Sequence, residues 1–67
     1  MFIFGERIKT LRKNRGLTQK QVAEGLKMTE RNYQRYEADK IKPTYDGLNA
    51  LADFFNVSVD YLMGRTD

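Results

Sequence analysis

The stretch Thr18-Gln19-Lys20-Gln21-Val22-Ala23-Glu24-Gly25-Leu26-Lys27-Met28-Thr29-Glu30-Arg31-Asn32-Tyr33-Gln34-Arg35-Tyr36-Glu37 decides the fold. Thr18-Gln19-Lys20-Gln21 matches a capping box, in which Thr18 caps a helix and the Gln21 side chain reaches back to the Thr18 amide. Val22, Ala23 and Leu26 then form a short apolar face, which predicts a helix from Gln19 to Leu26. Thr29 is a second N-cap, and Glu30 places a negative charge in the first turn of a third helix. Tyr33, Tyr36 and Ala38 are expected on its inner side. Only Leu26, Lys27, Met28 and Thr29 separate the middles of the two helices. So short a connection forces a steep crossing, which is the helix-turn-helix arrangement, here over residues 18–38.

Upstream, Phe4, Ile8 and Leu11 recur at helical spacing and predict a helix from residue 4 to residue 14. Gly16 follows it, where a left-handed residue ends a helix, and Arg12, Lys13 and Arg15 complement the helix dipole. Downstream, Asp39-Lys40-Ile41-Lys42-Pro43 is a loop, because the residue before proline is pushed out of helical geometry. Thr44 caps a fourth helix with Leu48, Leu51, Ala52 and Phe55 as its stripe. Asn56-Val57-Ser58 breaks and recaps the chain, and Val59, Leu62 and Met63 supply a final turn before Gly64. The expected fold is all-α: one domain over residues 1–67, a bundle of five short helices. Ile8, Leu11, Val22, Leu26, Leu48, Leu51, Phe55 and Leu62 are its expected core. Of Phe2 and Phe4, one is expected to plug that core and the other to face a partner.

Composition narrows the chemistry. The 67 residues allow one small domain. Cysteine and histidine are both absent, which removes disulfides, thiolate metal sites, the commonest general base and most nucleophilic dyads. Carboxylates remain, but no glycine-rich phosphate loop, metal-ligand cluster or nucleophile–base pair can be assembled, so the expectation is no enzyme, no cofactor and no metal. No apolar run approaches the roughly 20 residues of a membrane span. The short apolar start is no signal sequence, and a reducing cytoplasm is the default location.

Charge is unevenly placed. From Arg7 to Lys42 there are eleven Lys or Arg against Glu24, Glu30, Glu37 and Asp39, a balance of +7. From Pro43 onward Arg65 stands against four aspartates, a balance of −3. Such polarity suits a surface that meets a polyanion. On a wheel of about 100° per residue, Glu30, Gln34, Arg31 and Arg35 fall at about 0°, 40°, 100° and 140°, one polar arc opposite Tyr33 and Tyr36. Arg31 and Arg35 can each donate two hydrogen bonds to guanine O6 and N7. Gln34 suits adenine or a phosphate. Glu30 repels phosphates, which leaves it cytosine N4 or the orientation of Arg31 or Gln34.

The sequence from Gln19 to Glu37 resembles the helix-turn-helix of the lambda repressor and Cro-like family, also called the XRE family. The matching features are Gly16-Leu17-Thr18-Gln19 before the motif, Val22-Ala23 within it, Thr29 as cap and Tyr36-Glu37 at its end. Lys42-Pro43-Thr44 and Phe55-Asn56-Val57-Ser58-Val59-Asp60-Tyr61-Leu62 also look like the family's closing segments. Lys27 departs from the pattern, which usually has glycine in the turn; the lysine either takes a left-handed conformation or the turn is built differently. The resemblance implies base contacts from Glu30, Arg31 and Arg35, with Gln34 between base and phosphate, and a phosphate contact from Gln19 at the start of helix two. Thr29, Asn32, Lys40, Lys42 and Tyr45 surround helix three as further phosphate candidates, Asn32 being equally suited to a structural hydrogen bond. It implies an ion pair between Arg12 and Glu37 that orients the reading helix.

The family usually binds two-fold sites as a dimer, with half-sites roughly 34 Å apart. Helix five, with Tyr61, Leu62 and Met63, and the Met1–Phe4 segment are the candidate dimer surfaces. The partner expected is double-stranded DNA, and the function transcriptional regulation, with repression as its sense. Many family members continue into a second domain beyond this point, so the chain reads either as a small regulator or as the DNA-binding piece of a longer one. The rival from another class is a protein-binding module on the same fold, an antitoxin or antagonist, marked by a broad exposed apolar patch.

Overall fold

The computed structural model describes residues 4–65. Five helices follow in order: α1 (Phe4–Asn14), α2 (Gln19–Gly25), α3 (Glu30–Glu37), α4 (Tyr45–Phe55) and α5 (Val59–Leu62). Among the described residues there is no strand.

The boundaries follow from local chemistry. Thr18, Thr29, Thr44 and Ser58 each stand at an N-cap in extended conformation. Their hydroxyl oxygens accept from the backbone amides of Gln21, Asn32, Gly47 and Tyr61 at 3.0–3.2 Å. Each such cap is worth about 0.5–2 kcal/mol. The Thr18–Gln21 box is reciprocal, with the Thr18 amide donating to Gln21 Oε1 at 2.8 Å. The other ends are equally regular. Gly16, Lys27, Asp39, Asn56 and Gly64 all have φ between 56° and 77°. The amide after each donates to a carbonyl five residues back: Leu17 to Arg12, Met28 to Ala23, Lys40 to Arg35, Val57 to Ala52 and Arg65 to Asp60. This is the Schellman closure, used at all five helix ends.

Phe4, Ile8, Val22, Ala23, Tyr33, Leu51, Ala52, Phe55 and Leu62 form the buried core. Leu11, Leu26 and Leu48 pack against it while remaining partly exposed. Helix α3 packs against both α2 and α1, while α4 and α5 pack against each other and against α1. The radius of gyration, 10.6 Å, matches the roughly 11 Å expected for a single compact body of this length.

Several expectations need correction. Ala38 does not line the inner side of α3: it follows the last helical residue and is exposed. Helix two ends at Gly25, with Leu26 as its cap. Arg15 lies beyond the end of α1 and serves another helix, donating to the carbonyls of Phe54 and Phe55 at the C-terminus of α4. Leu62 is fully buried and Phe4 nearly so, so neither can form an exposed dimer surface. Phe4 is the phenylalanine that fills the core, stacking edge-on against Tyr36 with ring centroids 6.1 Å apart. Phe2, the other candidate, lies outside the described residues.

Candidate nucleic-acid interface

The outer face of α3 is built by default: burying Tyr33 against the core turns the opposite side to water. Glu30, Arg31, Gln34 and Arg35 are all exposed on that side. Arg31, Gln34 and Arg35 line a shallow open concavity with Ala38 and Lys40. Three cations and an amide thus converge on one depression, a surface that can donate to base edges or phosphates. Ala38, expected inside, contributes here instead.

The flanking residues divide by exposure. Thr29, Asn32, Lys40, Lys42 and Tyr45 all reach solvent, Tyr45 with 74% of its surface open. Thr29 Oγ1 accepts from the Asn32 amide at 3.2 Å, which leaves the hydroxyl proton free to donate outward. The Asn32 side chain is exposed rather than turned to the core. Gln19 is half-buried, and its side-chain amide donates to Glu37 Oε1 at 3.0 Å. The first residue of α2 is therefore tied to the last residue of α3.

Glu37 is the centre of a largely buried polar set. Arg12 donates to it from Nε at 2.6 Å and from Nη2 at 3.2 Å, and from Nη1 to the Leu17 carbonyl at 3.0 Å. The two side chains are only 11% and 5% exposed, so water screens the pair weakly. The buried Tyr33 hydroxyl lies beside them without a partner in good hydrogen-bond geometry. Burial above all, then the neighbouring Glu37 charge, holds that hydroxyl far above its ordinary pKa. Burial also pushes the Glu37 carboxyl up, but the Arg12 hydrogen bond, the nearby Tyr33 hydroxyl and the Gln19 amide outweigh it and leave the carboxyl below its ordinary range. Arg12, hydrogen-bonded to Glu37, is raised in turn. The Arg12–Glu37 pair stays charged at neutral pH and, with Gln19, joins α1, α2 and α3 at one point.

One tie has no counterpart in the reading of the sequence. The Gly5 amide donates to Asp39 Oδ1 at 3.0 Å, across 34 residues. A Cβ at Gly5 would press into the Glu37 carbonyl and lie 2.6 Å from Asp39 Oδ2. The only sequence signal was a glycine in the first turn of an otherwise good helix, a residue with the lowest helix propensity after proline.

A helix-turn-helix whose outer helix lines a concavity with Arg31, Arg35 and the nearby Lys40 is typical of a class of DNA-binding proteins, and the family model for the helix-turn-helix domain matches residues 5–67. The chain belongs to that family, in its XRE-type branch, a DNA-binding and non-enzymatic group of transcriptional regulators and repressors. It is similar to the HTH-type transcriptional regulator YobD of Bacillus subtilis (strain 168), 42% identical over 65 residues, 97% of this chain and 58% of that protein. The HTH-type transcriptional regulator ImmR of the same organism is 41% identical over 63 residues, 94% of this chain and 50% of the other. The chain thus spans about half the length of these relatives. The P22 c2 repressor protein, solved in complex with synthetic operator 9T, superposes with a TM-score of 0.87 and 25% identity, covering 94% of this chain and 96% of that one. No helix among the described residues is long and apolar enough to cross a membrane.

Proposed function

We propose that residues 1–67 form a single helix-turn-helix domain that binds double-stranded DNA sequence-specifically, reads the major groove with α3 and occupies a two-fold operator as a homodimer. The observation that carries this reading is the exposed face Glu30, Arg31, Gln34 and Arg35 on a helix anchored by a buried ion pair. An ordinary solvated helix needs no such anchor. Arg31 and Arg35 supply bidentate guanine contacts. Glu30 either accepts from cytosine N4 or orients Arg31 or Gln34, and Gln34 takes adenine or a phosphate. Thr29, Asn32, Lys40, Lys42 and Tyr45 hold the phosphate backbone on either side of α3. Gln19 reaches a phosphate through the α2 N-terminal amides and the part of its side chain that Glu37 leaves free.

Repression, rather than activation, is supported by the likeness to a repressor solved on its operator, and the site of action is the cytoplasm, where that DNA lies. Among the described residues the exposed large apolar side chains are Ile41, Tyr45 and Met63. Ile41 stands between Lys40 and Lys42, a setting that favours a polyanion over an apolar protein partner.

Selection from a pool of random duplexes, followed by binding across a salt series, tests the reading. The expected result is an enriched two-fold site with guanines that R31A or R35A no longer select, each change relaxing one base pair by about 1–3 kcal/mol. Enrichment of nothing, with affinity that merely fades with salt, would reduce the protein to phosphate binding and refute sequence-specific recognition.

A further inference from the structure

Asp39 is an acid in the midst of the cations Arg35, Lys40 and Lys42, where it weakens attraction to a polyanion. It also holds a left-handed backbone, φ 56°, which glycine would adopt at no steric cost. Both features are unfavourable in isolation. What Asp39 does in return is accept the Gly5 amide, one of the amides that α1 leaves without an intrahelical acceptor. The loop leaves α3 at this residue. Lys40 N donates back to the Arg35 carbonyl at 3.0 Å, and then Ile41, Lys42 and Pro43 make no backbone–backbone hydrogen bond among the described residues until Thr44 caps α4. The path of Lys40 to Lys42 is therefore set by its two ends. At the first end, Phe4 stacks on Tyr36 and Gly5 lies flush against the Glu37 carbonyl.

We propose that Asp39 is a positioning residue for DNA binding: by capping α1 from the end of the neighbouring α3, its carboxylate holds the Lys40–Lys42 loop so that both lysines meet the phosphate backbone. The inference rests on the DNA-binding reading above and names the device that aims its phosphate contacts. Glycine at this position would keep the backbone conformation and remove the cap. Asparagine would keep an oxygen for the Gly5 amide, tolerate the left-handed backbone and remove the charge.

The test uses wild type, D39N and D39G, each also carrying K40A/K42A, with a fluorescein-labelled mixed-sequence duplex of about 20 base pairs titrated across a salt series. Circular dichroism melts establish that each variant is folded. D39G is expected to bind more weakly, by about eightfold at 0.1 M salt for each phosphate it no longer neutralises, with a slope of log K against log salt shallower by about 1 per phosphate. D39N is expected to keep the wild-type slope and bind at least as tightly, since it removes a repelling charge. In the K40A/K42A background, D39G and D39N are expected to bind alike, because the groups through which Asp39 acts are gone. Equal slopes and affinities for D39G and D39N with both lysines present overturn the proposal, as does an undiminished difference after the lysines are removed. Should D39G melt below the working temperature, the contrast between D39N and wild type decides: a slope shallower for D39N overturns it. Absence of salt-dependent binding by the wild type itself would overturn the DNA-binding reading, and this inference with it.

Discussion

The two ends of α3 solve the same problem with different chemistry. Each is bounded by a residue forced into the left-handed region without being glycine, Lys27 in the turn before the helix and Asp39 after it. Lys27 is exposed, and its side chain makes no hydrogen bond or ion pair among the described residues. Asp39 is half-buried and its carboxylate caps α1. Left-handed backbone costs a non-glycine residue about 1–2 kcal/mol, a cost offset at one end and uncompensated at the other. The same asymmetry runs through the helix. Its C-terminal end is held by Arg12 and Gln19 on Glu37 and by Phe4 on Tyr36, whereas Glu30 and Arg31 at its start are open to solvent. On the proposed function, the helix that reads DNA is aimed from its far end, which leaves the near end free to carry whatever side chains recognition demands.

The largest expected effect comes from breaking the anchored end outright. E37A leaves the Arg12 guanidinium buried without its carboxylate and is expected to cost about 3–5 kcal/mol in urea unfolding. A loss below about 1 kcal/mol would place the pair among surface ion pairs and remove the asymmetry. G5A comes next. Its methyl group meets backbone at the Glu37 carbonyl, so the α1–α3 packing must open, with an expected loss of about 1–3 kcal/mol. Wild-type stability in that variant would mean that α1 does not bear on the end of α3.

Acid tests the same anchor without mutation. The Glu37 carboxyl is depressed below its ordinary value of 4.5, so the folded state binds its proton more weakly than the unfolded chain. The stabilisation it contributes is complete above that ordinary value and is lost as pH falls through the lower folded value. Melting temperature followed downward from pH 6 is expected to drop over this range in the wild type. E37Q, less stable at neutral pH, is expected to lack that component, and equal acid sensitivity in both would assign the drop to other groups.

The smallest effects sharpen the comparison most. K27G relieves uncompensated strain and is expected to stabilise by about 0.5–1 kcal/mol, after allowance for the greater unfolded-state freedom of glycine. D39G relieves similar strain but removes a cap, so its net change is expected near zero. Equal gains from both glycines in thermal melts would show that the Asp39 cap contributes nothing to stability.

Helix starts and stops were legible because they are local. Thr18, Thr29, Thr44 and Ser58 satisfy amides three residues on, and Gly16 and Gly64 close helices within the span of one turn, so a short window contains both partners of each bond. Spacing alone likewise put Tyr33 inside and Arg31, Gln34 and Arg35 outside, since burying one side of a helix exposes the other. The resemblance marked Lys27 as an exception in the turn and left two answers open, and the backbone takes the left-handed one.

The tertiary structure decided everything that joins residues distant in sequence. The Gly5–Asp39 cap, the Gln19–Glu37 bond and the reach of Arg15 to the end of α4 depend on how helices cross, and no periodicity encodes a crossing. It also decided the fate of Phe4 and Leu62, whose apolar side chains suit a core and an interface equally well. An apolar residue advertises only that it prefers to leave water. Which surface receives it is a property of the assembled bundle, and here the core takes both.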